Sequence, residues 1–168
     1  MRRWLRLNPV HYSSASSEWE TPQDLFDFLA QRWTFTLDVC ATEDNAKCQK
    51  HFDKDTDGLK QSWAGDMCWM NSPYGREIGA WVHKACDEAL QNHVTTVALL
   101  PVRTDTRWFE ELRTRAATLW WIPGRLCFVG APHPAPFPSM IVSFAWPRWD
   151  TALHYGALKR RDGAWAWS

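Results

Sequence analysis

A chain of 168 residues fits one domain with a real core, and leaves no room for a catalytic domain plus a second recognition domain. Hydrophobic content of 45% and charged content of 23% are ordinary for a globular protein, and a formal net charge of +0 argues against a strong non-specific binder of polyanions. The charge is nonetheless uneven: residues 1–100 hold 10 Lys and Arg against 14 Asp and Glu, residues 101–168 hold 9 against 5, so a nucleic-acid face would draw on the C-terminal part.

No apolar run reaches the length of a membrane span, and Met1-Arg2-Arg3-Trp4-Leu5 lacks the sustained apolar stretch of a signal peptide, so neither membrane contact nor export is expected. Five cysteines without a Cys-x-x-Cys pair fit reduced thiols in a cytoplasmic protein. Cys48 and His51 have Cys-x-x-His spacing but no second pair completes a zinc set, so no metal is expected.

In chain order, residues 1–17 end in Ser13-Ser14-Ala15-Ser16-Ser17 without periodicity and read as a flexible arm. Thr21-Pro22 has the form of a helix start, with a hydroxyl at the N-cap, Pro at the first helical position and Asp24 in the first turn; Leu25, Phe28 and Leu29 give that helix its buried stripe. Phe35–Ala41 reads as a strand ending in a small-residue turn, and residues 42–66, polar and rich in Asp and Lys, as loop with at most a short helix. A strand at 67–70 leads into Asn71. Ile78, Trp81, Val82, Ala85 and Ala89, three and four apart, mark an amphipathic helix. Val94–Leu100 is a buried strand and Asp105–Ala116 a helix; Thr118–Ile122, Leu126–Val129 and Met140–Trp146 complete the strands.

Strands alternating with helices predict an α/β sheet, mostly parallel, with helices on both faces and the last strands antiparallel at one edge. Trp69, Trp81, Trp120 and Trp121 fall in core patterns among the 13 Trp. Trp165 and Trp167 alternate with Ala164 and Ala166, as in an edge strand or a dimer contact, and Lys159-Arg160-Arg161 reads as a solvated tail. His83 has no partner at catalytic spacing.

Ligands of such sheets bind at the carboxyl ends of the strands, where both Asp38–Thr42 and Asn71–Tyr74 fall. Asn71-Ser72-Pro73-Tyr74-Gly75 is the most informative segment. The side-chain oxygen of Asn71 and the carbonyl of Ser72 can accept both hydrogens of a planar aromatic amine, pulling its nitrogen toward a tetrahedral shape; Pro73 fixes the turn and Tyr74 stacks on the base. These residues are all turn formers, and a plain turn is the competing reading. Asp38, followed by Ala41 and Thr42, offers a carboxylate and exposed backbone N–H groups to a methionine-like cofactor, and Trp19-Glu20-Thr21-Pro22 sets a helix N-terminus against that cofactor's carboxylate.

Taken together, these segments resemble the phage-type DNA adenine N6-methyltransferase family, from about Ser17 to Phe144. The resemblance is carried by Glu18-Trp19-Glu20-Thr21-Pro22, Leu37-Asp38-Val39-Cys40-Ala41-Thr42, Asp57-Gly58-Leu59 with Trp63, Asn71–Gly75, Leu100–Phe109, Gly124-Arg125-Leu126 and Ala135–Met140. It implies a Rossmann-like class I methyltransferase fold over residues 18–168, without a separate target-recognition domain, and S-adenosylmethionine near Trp19, Thr21, Pro22, Asp38, Ala41 and Asn71. It also implies DNA as partner and catalysis at Asn71, Ser72, Pro73 and Tyr74. The chain departs from the family's pattern at Ser72, where Pro is usual, and in lacking a Gly-x-Gly after Asp38. Arg103 and Arg107, after the strand ending at Leu100-Pro101, are expected to contact DNA phosphate or position the substrate strand, with Trp108 packed behind them; a solvated helix face is the competing reading. With only 33 positions from Asp38 to Asn71, short or relaxed specificity is expected, read by loops around 42–66 and 130–138. RNA or protein glutamine as acceptor, and a degenerate binding protein on the same fold, stay open, as does the oligomeric state.

Overall fold

A computed structural model describes residues 19–116, 118–145 and 154–168; the arm expected at 1–17 lies outside the described residues. Among the described residues, three helices and eight strands form one mixed α/β layer system: α1 (Gln23–Ala30), β1 (Leu37–Asp38), β2 (Lys50–His51), β3 (Met67–Met70), α2 (Ile78–Asn92), β4 (Thr95–Pro101), α3 (Arg107–Arg115), β5 (Thr118–Ile122), β6 (Ser139–Phe144), β7 (His154–Arg161) and β8 (Ala164–Trp167). The sheet order is β2-β1-β3-β4-β6-β5-β7-β8.

Side chains alternate across the sheet, as the two-residue period of a strand requires. Cys68 and Met70 face α2 and α3, where Ile78, Trp81, Val82 and Leu112 pack with Leu37, Ala98, Leu100 and Met140. Trp69 faces α1, where Leu25, Phe26 and Leu29 join Val97, Leu99 and Ile141. Both helix-covered faces expected from the sequence are therefore present. Each fully buried leucine, such as Leu25 or Leu29, contributes about 2 kcal/mol of transfer free energy to this packing.

The strand directions differ from the expectation. β1 is parallel to β2 and β3, and β3 to β4, but β6 lies inside the sheet, antiparallel to both β4 and β5. Antiparallel pairing is thus central rather than confined to one edge. Every residue of β6 is buried, so this strand cannot border solvent and is hydrogen-bonded on both sides. Beyond it, β5 pairs parallel with β7 and β7 antiparallel with β8.

Three further expectations are corrected. Residues 126–129 form no strand, although Leu126 and Phe128 are buried. Gly124 and Gly130 turn the chain on either side at φ 86° and 72°, and the backbone between pairs outside the sheet, Val129 N–H with the Glu20 carbonyl at 3.0 Å and the Leu126 carbonyl with Ala135 N–H at 2.8 Å. Lys159-Arg160-Arg161 is no tail but the end of β7, with Arg160 paired to Asp24 at 2.9 Å and its guanidinium 5.8 Å from the Trp165 ring centre. Thr21 does not cap α1: Pro22 is the N-cap and no side chain makes a capping hydrogen bond there. Trp165 and Trp167 do lie on an edge strand, β8, and Trp167 meets Trp120 and Trp33 at 5.0 and 5.8 Å.

The topology gathers loops at one edge. The carboxyl ends of β1, β3 and β4 point the same way, Ile122 at the end of β5 pairs with Ser139 at the start of β6, and Ser139 pairs with Pro101. Residues 39–47, 71–77, 102–106 and 123–138 therefore emerge together. A bond from Val102 N–H to the Pro138 carbonyl (2.8 Å) and one from Val129 N–H to the Glu20 carbonyl (3.0 Å) tie the last of these loops down.

Candidate active site

At this edge lies a cavity of about 550 Å³, within the size range of small-molecule sites. Trp19, Thr21, Asp38, Ala41, Asn71, Ser72 and Pro73 line it together, although they come from three separate stretches of the chain. Pro22, Tyr74, Arg103 and Arg107 do not line it.

Asn71 follows directly on β3, and its amide is anchored across the site. Nδ2 donates to the Trp19 carbonyl at 2.6 Å and to Thr21 Oγ1 at 3.0 Å. The Trp19 carbonyl accepts only, so it fixes which way the amide is turned. Oδ1 is left buried without a hydrogen-bond partner among the described residues. An acceptor sealed in this way is costly unless a donor from a ligand completes it. Thr21, which is 2% exposed, thus spends its hydroxyl on Asn71 instead of on the helix.

Ser72 is also buried, and its Oγ has no partner among the described residues. Pro73 carries the turn toward Tyr74, whose hydroxyl donates to the Leu99 carbonyl at 3.1 Å and is pushed above its ordinary pKa by burial. Phe137 and Phe128 meet the Tyr74 ring at 5.5 and 6.1 Å, and both also contact Trp19. The ring is half-buried and held, rather than freely exposed. Phe128 and Phe137 were given no role by sequence reasoning, although Phe137 lies in a segment that carried the resemblance.

Asp38 is 2% exposed at the end of β1. Its Oδ1 accepts from Cys40 N–H at 3.2 Å and its Oδ2 from Lys47 N–H at 3.0 Å, so the carboxylate pins the 40–47 loop that walls the cavity. Burial raises its pKa, opposed by these two bonds and by the charges of His51 and Lys47. The backbone N–H groups expected to be exposed here are engaged: Ala41 N–H donates to the Phe52 carbonyl at 2.9 Å and Thr42 N–H to Asn45 Oδ1 at 2.8 Å.

The far wall was not foreseen as part of the site. Trp81 of α2 lines the cavity, stacks on Trp63 at 6.4 Å, and buries an indole N–H without a partner among the described residues. Its spacing in the helix is that of any core residue, and no local pattern separates the two roles. Gly58 packs so tightly beneath that a Cβ there would lie 2.2 Å from the Val39 carbonyl oxygen. Among charged lining residues, Glu20, Asp38, Asp53, Asp57 and Glu77 outnumber Lys47 and Lys54, an environment suited to a cationic ligand.

Arg103 and Arg107 are exposed on and after the loop that follows β4; Arg103 forks onto Asp105 at 3.3 and 3.5 Å. Trp108 is partly buried against the core, and Thr106 caps α3. Exposed Arg76 and Arg125, on the loops after β3 and β5, add positive charge at the same edge; Arg125 lies in a segment that carries the resemblance, and neither is given a role from the sequence.

No helix among the described residues is long and apolar enough to cross a membrane. In comparison with known proteins, residues 11–138 match the family model described as DNA N-6-adenine-methyltransferase (Dam). A DNA N-6-adenine-methyltransferase of Escherichia phage T1 is 34% identical over 110 residues, covering 64% of this chain and 45% of the phage protein. Another, of Haemophilus phage HP1 (strain HP1c1), is 34% identical over 149 residues, covering 84% of this chain and 83% of its own. The chain therefore spans less than half of the first relative and most of the second. The family model takes in every candidate residue from Trp19 to Arg107, and on this match the chain belongs to the DNA N-6-adenine-methyltransferase family.

Proposed function

We propose that the protein transfers a methyl group from S-adenosylmethionine to the N6 amino group of adenine in DNA. The observation that carries this reading is the unpartnered Asn71 Oδ1, held in a ligand-sized cavity by two hydrogen bonds from its own amide. Family membership and the phage relatives' names support the same activity. The parallel β1-β3-β4 unit, with the cavity at its carboxyl ends, supports a Rossmann-like class I methyltransferase arrangement. The continuous sheet supports residues 18–168 acting as one domain, and the short span from Asp38 to Asn71 supports short or relaxed specificity read by loops.

The residues present fit the cofactor. Carboxylates outnumber lysines around a cavity of sufficient volume, as suits a cationic sulfonium. When bound, S-adenosylmethionine supplies an electrophilic methyl group. Trp19, Thr21, Pro22, Asp38, Ala41 and Asn71 are proposed to hold it. Asp38 acts through the 40–47 loop, which its carboxylate shapes.

The amino nitrogen of adenine is a weak nucleophile because its lone pair is delocalised into the ring. Asn71 Oδ1 would accept one amino hydrogen and the Ser72 carbonyl the other, freeing the lone pair for the methyl carbon; as the nitrogen–carbon bond formed, the sulfonium carbon–sulfur bond would break to leave a neutral thioether, and the surplus amino proton would pass to water. Pro73 holds the turn. Tyr74, tied through its hydroxyl to Leu99, offers its ring to the flipped-out base. Arg103 and Arg107 are proposed to steady the phosphate backbone of the DNA, the partner at this edge.

Labelled methyl transfer to DNA, RNA and total protein, with calorimetric titration of S-adenosylmethionine, tests this reading. The expected result is label in DNA alone. Label in RNA or protein would move the acceptor, and absence of binding heat would mark a degenerate binding protein.

A further inference from the structure

Ser72 buries a hydroxyl that bonds to nothing among the described residues, next in sequence to an equally unpartnered Asn71 Oδ1, and both residues line one cavity. Buried hydroxyls without a partner are rare because their desolvation is uncompensated. The two orphaned atoms sit on consecutive residues of one turn, so a single small group can satisfy both. Resting on the reading of this cavity as the site of adenine methylation, we propose that the Ser72 hydroxyl is a positioning contact to the target base, donating a hydrogen bond to a ring nitrogen that flanks the amine.

The chemistry limits the choice. Asn71 Oδ1 has acceptor character only and is matched to an amino hydrogen. The groups on either side of the adenine amine, N1 and N7, are acceptors and need a donor. Among the orphaned lining atoms, two can donate: Ser72 Oγ, and the Trp81 indole across the cavity on α2. Ser72, adjoining Asn71 on the same turn, is the donor placed for a nitrogen adjoining the same amine. Such a contact fixes the base in its own plane, complementing a stacking ring, which fixes it perpendicular to that plane. It also disfavours a base that presents a ring N–H beside its amine.

The test pairs a protein deletion with a substrate deletion. Wild type and Ser72→Ala are assayed on oligonucleotides whose target is adenine, 1-deazaadenine or 7-deazaadenine, with thermal unfolding of both proteins alongside. The expected result is a three- to tenfold lower kcat/KM for Ser72→Ala on adenine, the range of one neutral hydrogen bond. One of the deaza substrates should lower wild type by a similar factor and leave Ser72→Ala unchanged from its value on adenine. The unfolding temperature of Ser72→Ala should not fall below that of wild type, because Ser72 Oγ makes no hydrogen bond among the described residues. Unchanged kcat/KM in Ser72→Ala, losses that multiply on both deaza substrates, or a lowered unfolding temperature would overturn the inference. The substrate arm on wild type decides the matter even if the variant fails to fold: full activity on both deaza substrates refutes it. No transfer by wild type to adenine itself would overturn the methyltransferase reading, and this inference with it.

Discussion

Replacing Asn71 by Ala separates what the amide does for the fold from what its oxygen does for the reaction. The substitution removes two hydrogen bonds, at 2.6 Å to the Trp19 carbonyl and 3.0 Å to Thr21 Oγ1. At about 1 kcal/mol each, the fold loses about 2 kcal/mol. For a domain of 168 residues this lowers the unfolding temperature by roughly 4–8 °C. The reaction loses more, because an acceptor fixed at the reacting group is worth about 10²–10³ in kcat. Thr21→Val is the control: it removes one bond and leaves Oδ1 and the Trp19 tether in place, so it costs about 1 kcal/mol and less than about tenfold in kcat. Scanning calorimetry and single-turnover transfer with saturating S-adenosylmethionine measure the two quantities separately. If Asn71→Ala kept wild-type turnover, or if Thr21→Val lost as much turnover as Asn71→Ala, Oδ1 would not be the working atom.

Four further outcomes follow from the geometry. Gly58→Ala pushes a Cβ against the Val39 carbonyl, and calorimetry should show it cutting S-adenosylmethionine affinity at least tenfold with a stability loss of about 1–3 kcal/mol; retained affinity would show that this wall does not meet the cofactor. The Arg32 guanidinium lies 5.1, 5.5 and 5.4 Å from the ring centres of Trp33, Trp120 and Trp167, so Arg32→Leu should cost about 1–2 kcal/mol in urea unfolding while leaving KM unchanged. Burial raises the pKa of Asp38 above its ordinary 3.8, so the native state binds that proton more tightly than the unfolded chain, and the resulting stability is present at low pH and lost as pH rises through the folded value. Urea unfolding should accordingly show wild type gaining on Asp38→Asn as pH is lowered toward 3.8, and a pH-independent gap would contradict the assignment. Replacing Arg103 and Arg107 together by Ser should weaken DNA binding and reduce the salt slope of log K by roughly 1.8; an unchanged slope would remove both from the interface.

The parts of this molecule legible in the sequence are those governed by local pattern. The run Met67–Met70, the strand Thr118–Ile122 and the helix from Ile78 fall where their periodicity places them. The Asn71 turn was legible for the same reason, since it follows a short apolar strand directly. What failed depends on partners distant in sequence. Thr21 has every local mark of a helix cap, yet its hydroxyl serves Asn71, 50 residues on. β7 is disguised by Gly156 and the basic residues 159–161, and its place becomes clear only where Gly156 lets Trp120 approach so closely that a Cβ would meet the indole at 2.7 Å. Leu126–Val129 has the composition of a strand, but its backbone bonds go to Glu20 and Ala135, partners that local pattern does not reveal. Asn71, Ser72, Asp38 and Thr21, proposed from their chemistry-bearing residue types, line one cavity. Trp81 was missed because an indole with an unsatisfied N–H has the same helical spacing as one that merely fills the core.

The most direct test is to express the protein in a host free of DNA methylation, digest the genomic DNA to nucleosides, and map modified positions by sequencing. The account predicts N6-methyladenine in a short or relaxed sequence context, abolished by Asn71→Ala. Methylation of another base, or none from a folded protein that binds S-adenosylmethionine, would contradict the central claim; a strict six-base site would contradict the expected loop-based specificity.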